Sequence, residues 1–171
     1  MAGIESRVAI ITGGATGVGA ATALMLAARG WRCVINYSRS ASDAESTVRQ
    51  CVALGTKAFA VCGDVARDEA CRATADATVK AFGRIDALIN SAGTTKFAPM
   101  DDLDGQNAVD FQEVYAVNVI GAYQMTRAAA PAMSSLVTLI LRGALVWLSR
   151  YIGLRPRVRR LGHMSRVSGR C

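Results

Sequence analysis

The sequence predicts an α/β fold, with short apolar strands alternating with helices around a parallel sheet. Three observations carry this expectation. An apolar run from Val8 to Ile11 breaks into a glycine-rich turn, which opens into an Ala/Leu-rich helix from Ala20 to Arg29. The same strand–helix alternation continues for about 130 residues, punctuated by Gly30, Gly55 and Gly83. The apolar fraction of 51% over 171 residues supplies an ample core for one domain.

The opening turn, Thr12-Gly13-Gly14-Ala15-Thr16-Gly17-Val18-Gly19, organises the rest. One glycine lets the chain reverse, another lets backbone approach a phosphate, and a third lets the helix sit close on the sheet. The free N–H groups and positive dipole end of the following helix favour an anion there. A strand before and a helix after the glycines make this a dinucleotide-site signature rather than an ordinary tight turn.

Residues 32–37 read as the second strand, completing a right-handed βαβ unit. In such units an acidic residue near the end of this strand commonly holds the ribose 2′-OH of NAD. This chain places Asn36, Tyr37, Ser38 and Arg39 there. With no carboxylate to repel a 2′-phosphate and Arg39 able to pair with one, NADP(H) is favoured over NAD(H). The alternative for Arg39 is a solvated loop charge.

Ser42-Asp43-Ala44-Glu45 reads as a capping box that opens a helix to about Leu54. Lys57 to Cys62 is a third strand, and Gly63-Asp64-Val65 follows it at the carboxyl edge of the sheet, where ligands bind. Asp64 can accept from an adenine amino group or cap the next helix, Arg67 to Phe82. Ala87 to Asn90 is a fourth strand, ending in Asn90-Ser91-Ala92-Gly93, whose small residues leave room for a ring or a ribose. Thr94 to Asn107 reads as a loop near the site. Asp110-Phe111-Gln112-Glu113 reads as a second capping box, opening a helix from about Phe111 to Ala130. Asn118 falls inside that helix, where Asn competes for backbone hydrogen bonds. It reads either as an exposed polar residue or as a functional one.

Charge is unevenly spread. Residues 1–113 carry 11 Lys+Arg against all 13 Asp+Glu, whereas residues 114–171 carry 9 Arg with no Lys and no acid. The five cysteines are odd in number and contain no Cys-x-x-Cys, so neither a disulfide frame nor a zinc site is expected; reduced thiols and a cytoplasmic location are. No secretory signal pattern precedes the first strand. The apolar stretch Leu136 to Leu141 is cut by Arg142, far short of the ~18 residues that suggest a membrane span.

Taken together, Thr12-Gly13-x-x-x-Gly17-x-Gly19, Asp64-Val65, Asn90-Ser91-Ala92-Gly93 and Asn118-Val119-x-Gly121 resemble the short-chain dehydrogenase/reductase family, in order and approximate spacing, over Ile4 to Met133. The likeness is greatest to the group of ketoacyl reductases and sugar or alcohol dehydrogenases. The resemblance implies a Rossmann-type doubly wound parallel sheet of strand order 3-2-1-4-5, here incomplete on the C-terminal side. It implies hydride transfer between a nicotinamide and a small carbonyl or alcohol. It also implies cofactor contacts from Gly13, Thr16, Gly17, Val18, Gly19, Asp64, Val65, Asn90, Ala92 and Gly93, and it makes Asn118 the catalytic Asn, shaping a helix kink and holding a water beside a lysine. Family members are usually homo-oligomers, through helices this sequence does not show.

The resemblance also implies a Ser followed by Tyr-x-x-x-Lys. The tyrosine handles the substrate proton, and a lysine one helical turn on lies on the same face and lowers its pKa. The last lysine is Lys96, so the sequence contains no Tyr-x-x-x-Lys. Gly143 to Arg150 resembles the fifth strand, with Ser149 or Arg150 at the Ser position. Tyr151 and Arg155 have the spacing but follow that strand too closely, and Arg is a poor substitute for Lys. His163 reads as an exposed tail residue.

Residues 1–149 are therefore expected to form the dinucleotide domain, and the Arg-rich residues 150–171 a poorly ordered tail. After about Met133 the change in composition coincides with the loss of the motifs, as a shifted reading frame in GC-rich DNA would produce. An amphipathic membrane helix is not indicated, because Arg155 to Cys171 has no apolar stripe. The leading functional expectation is an NADP(H)-dependent oxidoreductase, weak or inactive in this chain. Its rival is a non-catalytic NADP-binding or regulatory module, and an Arg-tailed nucleic-acid binder ranks third.

Overall fold

A computed structural model describes the backbone of residues 7–99, 101–102, 104–141 and 144–148, and the side chains among these up to Met133. In chain order the elements are β1 (Val8–Thr12), α1 (Gly17–Ala27), β2 (Arg32–Tyr37), α2 (Ala41–Ala53), β3 (Ala58–Cys62), α3 (Asp68–Phe82) and β4 (Ile85–Asn90). Next come α4 (Ala108–Tyr115), a π-helical turn (Ala116–Gly121), α5 (Ala122–Ala129) and a 3-10 turn (Ala130–Ala132). Two further strands follow, β5 (Met133–Leu141) and β6 (Ala144–Leu148).

The sheet order is β3-β2-β1-β4-β5-β6. The first five strands run parallel, giving the expected 3-2-1-4-5 order. β1 is central, with Ala9 beside both Cys33 and Ala87. All five of its residues are buried, as a strand covered on both faces requires.

Alternation along β1 builds two cores. Ile10 joins Val34, Leu88, Cys71, Met125 and Ala129 on the side covered by α3 and α5. Ala9 and Ile11 join Cys33, Ile35, Ala23, Ala27 and Cys51 on the side covered by α1 and α2. The small residues Ala23 and Ala27 of α1 let that helix lie close to the sheet. Asp86 fixes the lower end of β1: its Oδ2 accepts from the Val8 N–H at 2.8 Å, and its carboxylate also pairs with Arg84. Gly83 closes α3 with φ +77, the left-handed conformation glycine adopts at low cost.

Three local expectations are corrected. The helix α2 starts at Ala41, before Ser42, so no Ser42–Glu45 box forms. The capping box of α4 is Asn107 with Asp110: the Asn107 side chain accepts from the Asp110 N–H while Asp110 accepts from the Asn107 N–H, so Asp110 is the third helical residue rather than the cap. The fifth parallel strand is Met133–Leu141, not 143–150. Ala144–Leu148 returns antiparallel against it, because only two residues separate the two strands and a parallel crossover needs a dozen or more. Ser149, Arg150, Tyr151, Arg155, His163 and the whole 150–171 tail lie outside the described residues.

Candidate functional site

A cleft of about 340 Å³ opens at the carboxyl edge of the sheet. Its walls come from four segments, each the first residues beyond a strand. Gly13, Ala15 and Thr16 follow β1, and Ser38, Arg39 and Ser40 follow β2, with Asn36 and Tyr37 at that strand's end. Gly63, Asp64 and Val65 follow β3, and Ala92, Gly93 and Thr94 follow β4. Val117, from the π-helical turn, closes the back. This is the crevice in which doubly wound sheets hold ligands.

The glycine turn is built for close approach. Gly13 has φ +61, and a Cβ there would lie 2.8 Å from the Ala92 Cα. A Cβ on Gly19 would collide with the Gly13 carbonyl oxygen. Thr16, in extended conformation, precedes α1 and makes no side-chain capping bond, and the first turn of α1 holds no acid. The opening amides of α1 therefore have no side-chain competitor for an anion.

Thr12 ties the two sides of the cleft. Its buried hydroxyl oxygen accepts from the Ser91 and Ala92 N–H groups, both at 3.1 Å. Asn36 performs the same service one strand over. Its Nδ2 donates to the Gly63 carbonyl at 2.9 Å, and its own carbonyl accepts from the Gly14 N–H at 3.1 Å. Asp64 turns its Oδ1 back to the Ala66 N–H at 3.0 Å. The residue that caps α3 is Arg67, with no side-chain capping bond.

Asn118 lies in the π-helical turn, where the backbone widens from the i→i+4 to the i→i+5 pattern. Its side chain grips one residue of the cleft at two points. Oδ1 accepts from the Thr94 N–H at 2.8 Å, and Nδ2 donates to the Thr94 carbonyl at 3.0 Å. The loop beyond Thr94 is anchored by Lys96, whose ammonium meets Asp110 at 2.6 Å. The Lys96 hydrogen bond, helped by the Asn107 N–H, holds the Asp110 carboxyl below the usual carboxylate range.

Of the residues read from sequence, Gly13, Thr16, Ser38, Arg39, Asp64, Val65, Ala92 and Gly93 line the cleft. Gly17, with φ +56, Val18 and Gly19 form the start of α1 beside it. Asn90 sits behind the wall, 4% exposed, with Nδ2 3.4 Å from both the Ala122 carbonyl and the Thr126 hydroxyl. It joins β4 to α5.

Ala15, Ser40 and Val117 were not expected from sequence as lining residues; Gly63 was placed only at the ligand-binding edge, Thr94 only in a loop near the site, Asn36 only at the strand end that meets the ribose, and Thr12 only within the glycine motif. Thr12 and Asn36 carried a usable signal, a polar residue ending an otherwise apolar strand. Val117 carried none, since only the widened turn brings it to the cleft. Asp64 is the one acidic residue among those lining the cleft, and none of them is a lysine. The arrangement can grip an extended anionic ligand through backbone amides at one end and Arg39 at another.

A sequence profile of the short chain dehydrogenase family matches residues 7–157. An uncharacterized oxidoreductase of Methylorubrum extorquens is 36% identical over 130 residues, which is 76% of this chain and 51% of that protein. A 3-oxoacyl-[acyl-carrier-protein] reductase of Synechocystis is 35% identical over 133 residues, 78% of this chain and 53% of that protein. A crystal structure of a short chain dehydrogenase from Burkholderia cenocepacia in complex with NADP superposes with a TM-score of 0.69 at 37% identity, covering 75% of this chain and 51% of that one. The chain thus spans about half the length of these relatives.

Proposed function

Because the chain belongs to the short-chain dehydrogenase/reductase family, we propose that its cleft holds a nicotinamide dinucleotide, NADP(H) in preference to NAD(H). The observation that carries this is the Cβ-free cradle. Gly13 and Gly19 each occupy a place where a side chain would strike backbone, and the open amides of α1 stand next to them. Gly13, Thr16, Gly17, Val18 and Gly19 would hold the pyrophosphate. Asp64 and Val65 would border the adenine, and Ala92, Gly93 and Thr94 would border the nicotinamide-side ribose. Ser38 and Arg39 would meet a 2′-phosphate, with no carboxylate among the β2-end residues that line the cleft to oppose it. The NADP-bound relative supports the same choice of cofactor.

The bound cofactor supplies or takes a hydride. This chain's contribution is to orient it: Thr12 fixes Ser91 and Ala92, and Asn118 fixes Thr94. The proton that must accompany reduction of a small carbonyl has no Tyr-x-x-x-Lys pair to come from within these 171 residues. We therefore assign this chain cofactor binding with weak or no turnover, as a non-catalytic NADP-binding module would also show. The odd cysteine count without a Cys-x-x-Cys pair supports a reducing, cytoplasmic setting. Among the described residues no helix is long and apolar enough to cross a membrane.

Titration with NADPH and NADH, followed by carbonyl-dependent NADPH oxidation, tests the assignment. Saturable NADPH binding is expected, with NADH weaker. Arg39→Ala is expected to lower NADPH affinity about tenfold, the ~1.4 kcal/mol of one charge-assisted phosphate contact at an exposed site, and to leave NADH unchanged. Equal losses for both cofactors would remove Arg39 from the 2′-phosphate. Robust carbonyl reduction would refute the assignment of weak turnover.

A further inference from the structure

The π-helical turn lines the cleft with one residue and supports two of its walls with two others, one of them a buried glycine outside the cleft lining. Val117 forms the back wall. Asn118 holds Thr94, in the segment after β4. Gly121, buried at the end of the same turn, packs on Val65, in the segment after β3. A Cβ built on Gly121 would lie 2.7 Å from the Val65 Cγ2, 3.1 Å from its Cβ and 3.1 Å from its carbonyl oxygen. Val65 is 5% exposed and lines the cleft on its other side.

We infer that Gly121 is a positioning residue for the cofactor: by carrying no side chain, it lets Val65 sit back against the π-helical turn and keeps the β3-side wall of the cleft clear. This rests on the cleft being the nicotinamide-dinucleotide site. The turn acts as a spacer between two walls, gripping one through Asn118 and receiving the other through Gly121. An i→i+5 segment adds a residue to the turn and rotates everything beyond it. That rotation brings residues 117, 118 and 121 to three points of one site.

The physical consequence follows from where strain is relieved. A methyl group at 121 overlaps Val65 and approaches its backbone oxygen. Val65 shares one buried core with Met125 and Ala129 of the helix, and its carbonyl accepts from the Cys71 Sγ at 3.3 Å, but of these three it alone also borders the open cleft. The segment with open space beside it yields, so Val65 moves toward the cofactor. Binding must then push it back, and the affinity falls by whatever strain is reimposed. Removing the Val65 Cγ atoms removes the closest overlap and leaves the two 3.1 Å approaches, so rescue is partial.

The test compares wild type, Gly121→Ala, Val65→Ala and the double variant by NADPH titration and thermal melting. Gly121→Ala is expected to bind NADPH about tenfold more weakly, and the double variant to regain most of that loss, a coupling that independent sites do not show. Wild-type affinity in Gly121→Ala overturns the inference. So does a double variant no better than Gly121→Ala. If Gly121→Ala fails to fold, the double variant decides: it must fold and bind NADPH, and its failure to do so overturns the inference. Absence of NADPH binding in the wild type would instead overturn the cofactor assignment itself, so the two failures are distinguishable.

Discussion

Gly13 shows how much one residue settles here. Its φ of +61 lies where an L side chain is strained, and its Cα faces the Ala92 backbone at a distance that leaves no room for a methyl group. The left-handed conformation alone costs about 1–2 kcal/mol for a non-glycine residue, and the overlap adds to it. Gly13→Ala is expected to lower stability by about 2 kcal/mol or more and to abolish NADPH binding, read by urea unfolding and by titration. Unchanged stability would mean that the turn is not held as described. The glycine turn was legible in the sequence because each glycine answers a local steric demand that no other residue meets. From the residues alone Asn118 was legible only as an oddity, a poor helix former in a helix; the family resemblance added a role at a helix kink. Its grip on Thr94 depends on a π-helical turn, and hydrophobic periodicity does not distinguish that turn from regular helix.

At the scale of elements, the helix ends carry two predictions. Asn107 caps α4 by accepting from the Val109 and Asp110 N–H groups. Asn107→Ala is expected to cost about 1 kcal/mol, read as a lowered denaturation midpoint, since the helix then leaves two N–H groups without their acceptor. Asp68 accepts from Arg72 of its own helix at 2.8 Å and joins α3 to α5 by accepting from Arg127 at 2.5 Å. The Arg72 and then the Arg127 hydrogen bonds hold its carboxyl below the usual range. A carboxyl depressed in the folded state contributes stability above its unfolded pKa, and loses it as pH falls through the lower folded value. Asp68→Asn is therefore expected to reduce stability at neutral pH and to flatten the acid limb of the stability curve below about pH 4. An acid limb unchanged in the variant would contradict this.

Strand and helix order was readable because alternation of apolar runs and glycine stops is strong through Asn90. Caps were read less well. Ser42–Glu45 and Asp110–Glu113 both fit the capping pattern, but each helix starts earlier in the chain, at Ala41 and Ala108. Spacing proposes a box, and the true start is decided by where the preceding backbone leaves the helical region. The fifth strand was placed about ten residues late, because two apolar runs stood side by side and sequence alone did not rank them.

For the whole molecule, the outer face of the helical segment from Ala108 to Ala129 has a consequence. Phe111, Tyr115, Val119 and Tyr123, spaced four apart, are 64%, 57%, 47% and 65% exposed. An exposed apolar row of that size favours association. The purified chain is expected to self-associate, read by light scattering across a concentration series. Replacing Phe111 and Tyr123 with Ser should reverse it. A wild-type chain that stays monomeric throughout would contradict the expectation.

On the proposed function, the edge of the parallel sheet beyond β1 cradles a phosphorylated dinucleotide independently of any proton-transfer machinery. Calorimetric titration of the purified chain with NADPH, in parallel with NADH and with the Gly13→Ala variant, tests it most directly. One saturable site for NADPH, weaker binding of NADH and no heat with Gly13→Ala are expected. A folded wild-type chain that takes up neither nucleotide, or a Gly13→Ala chain that binds as well as wild type, would contradict it.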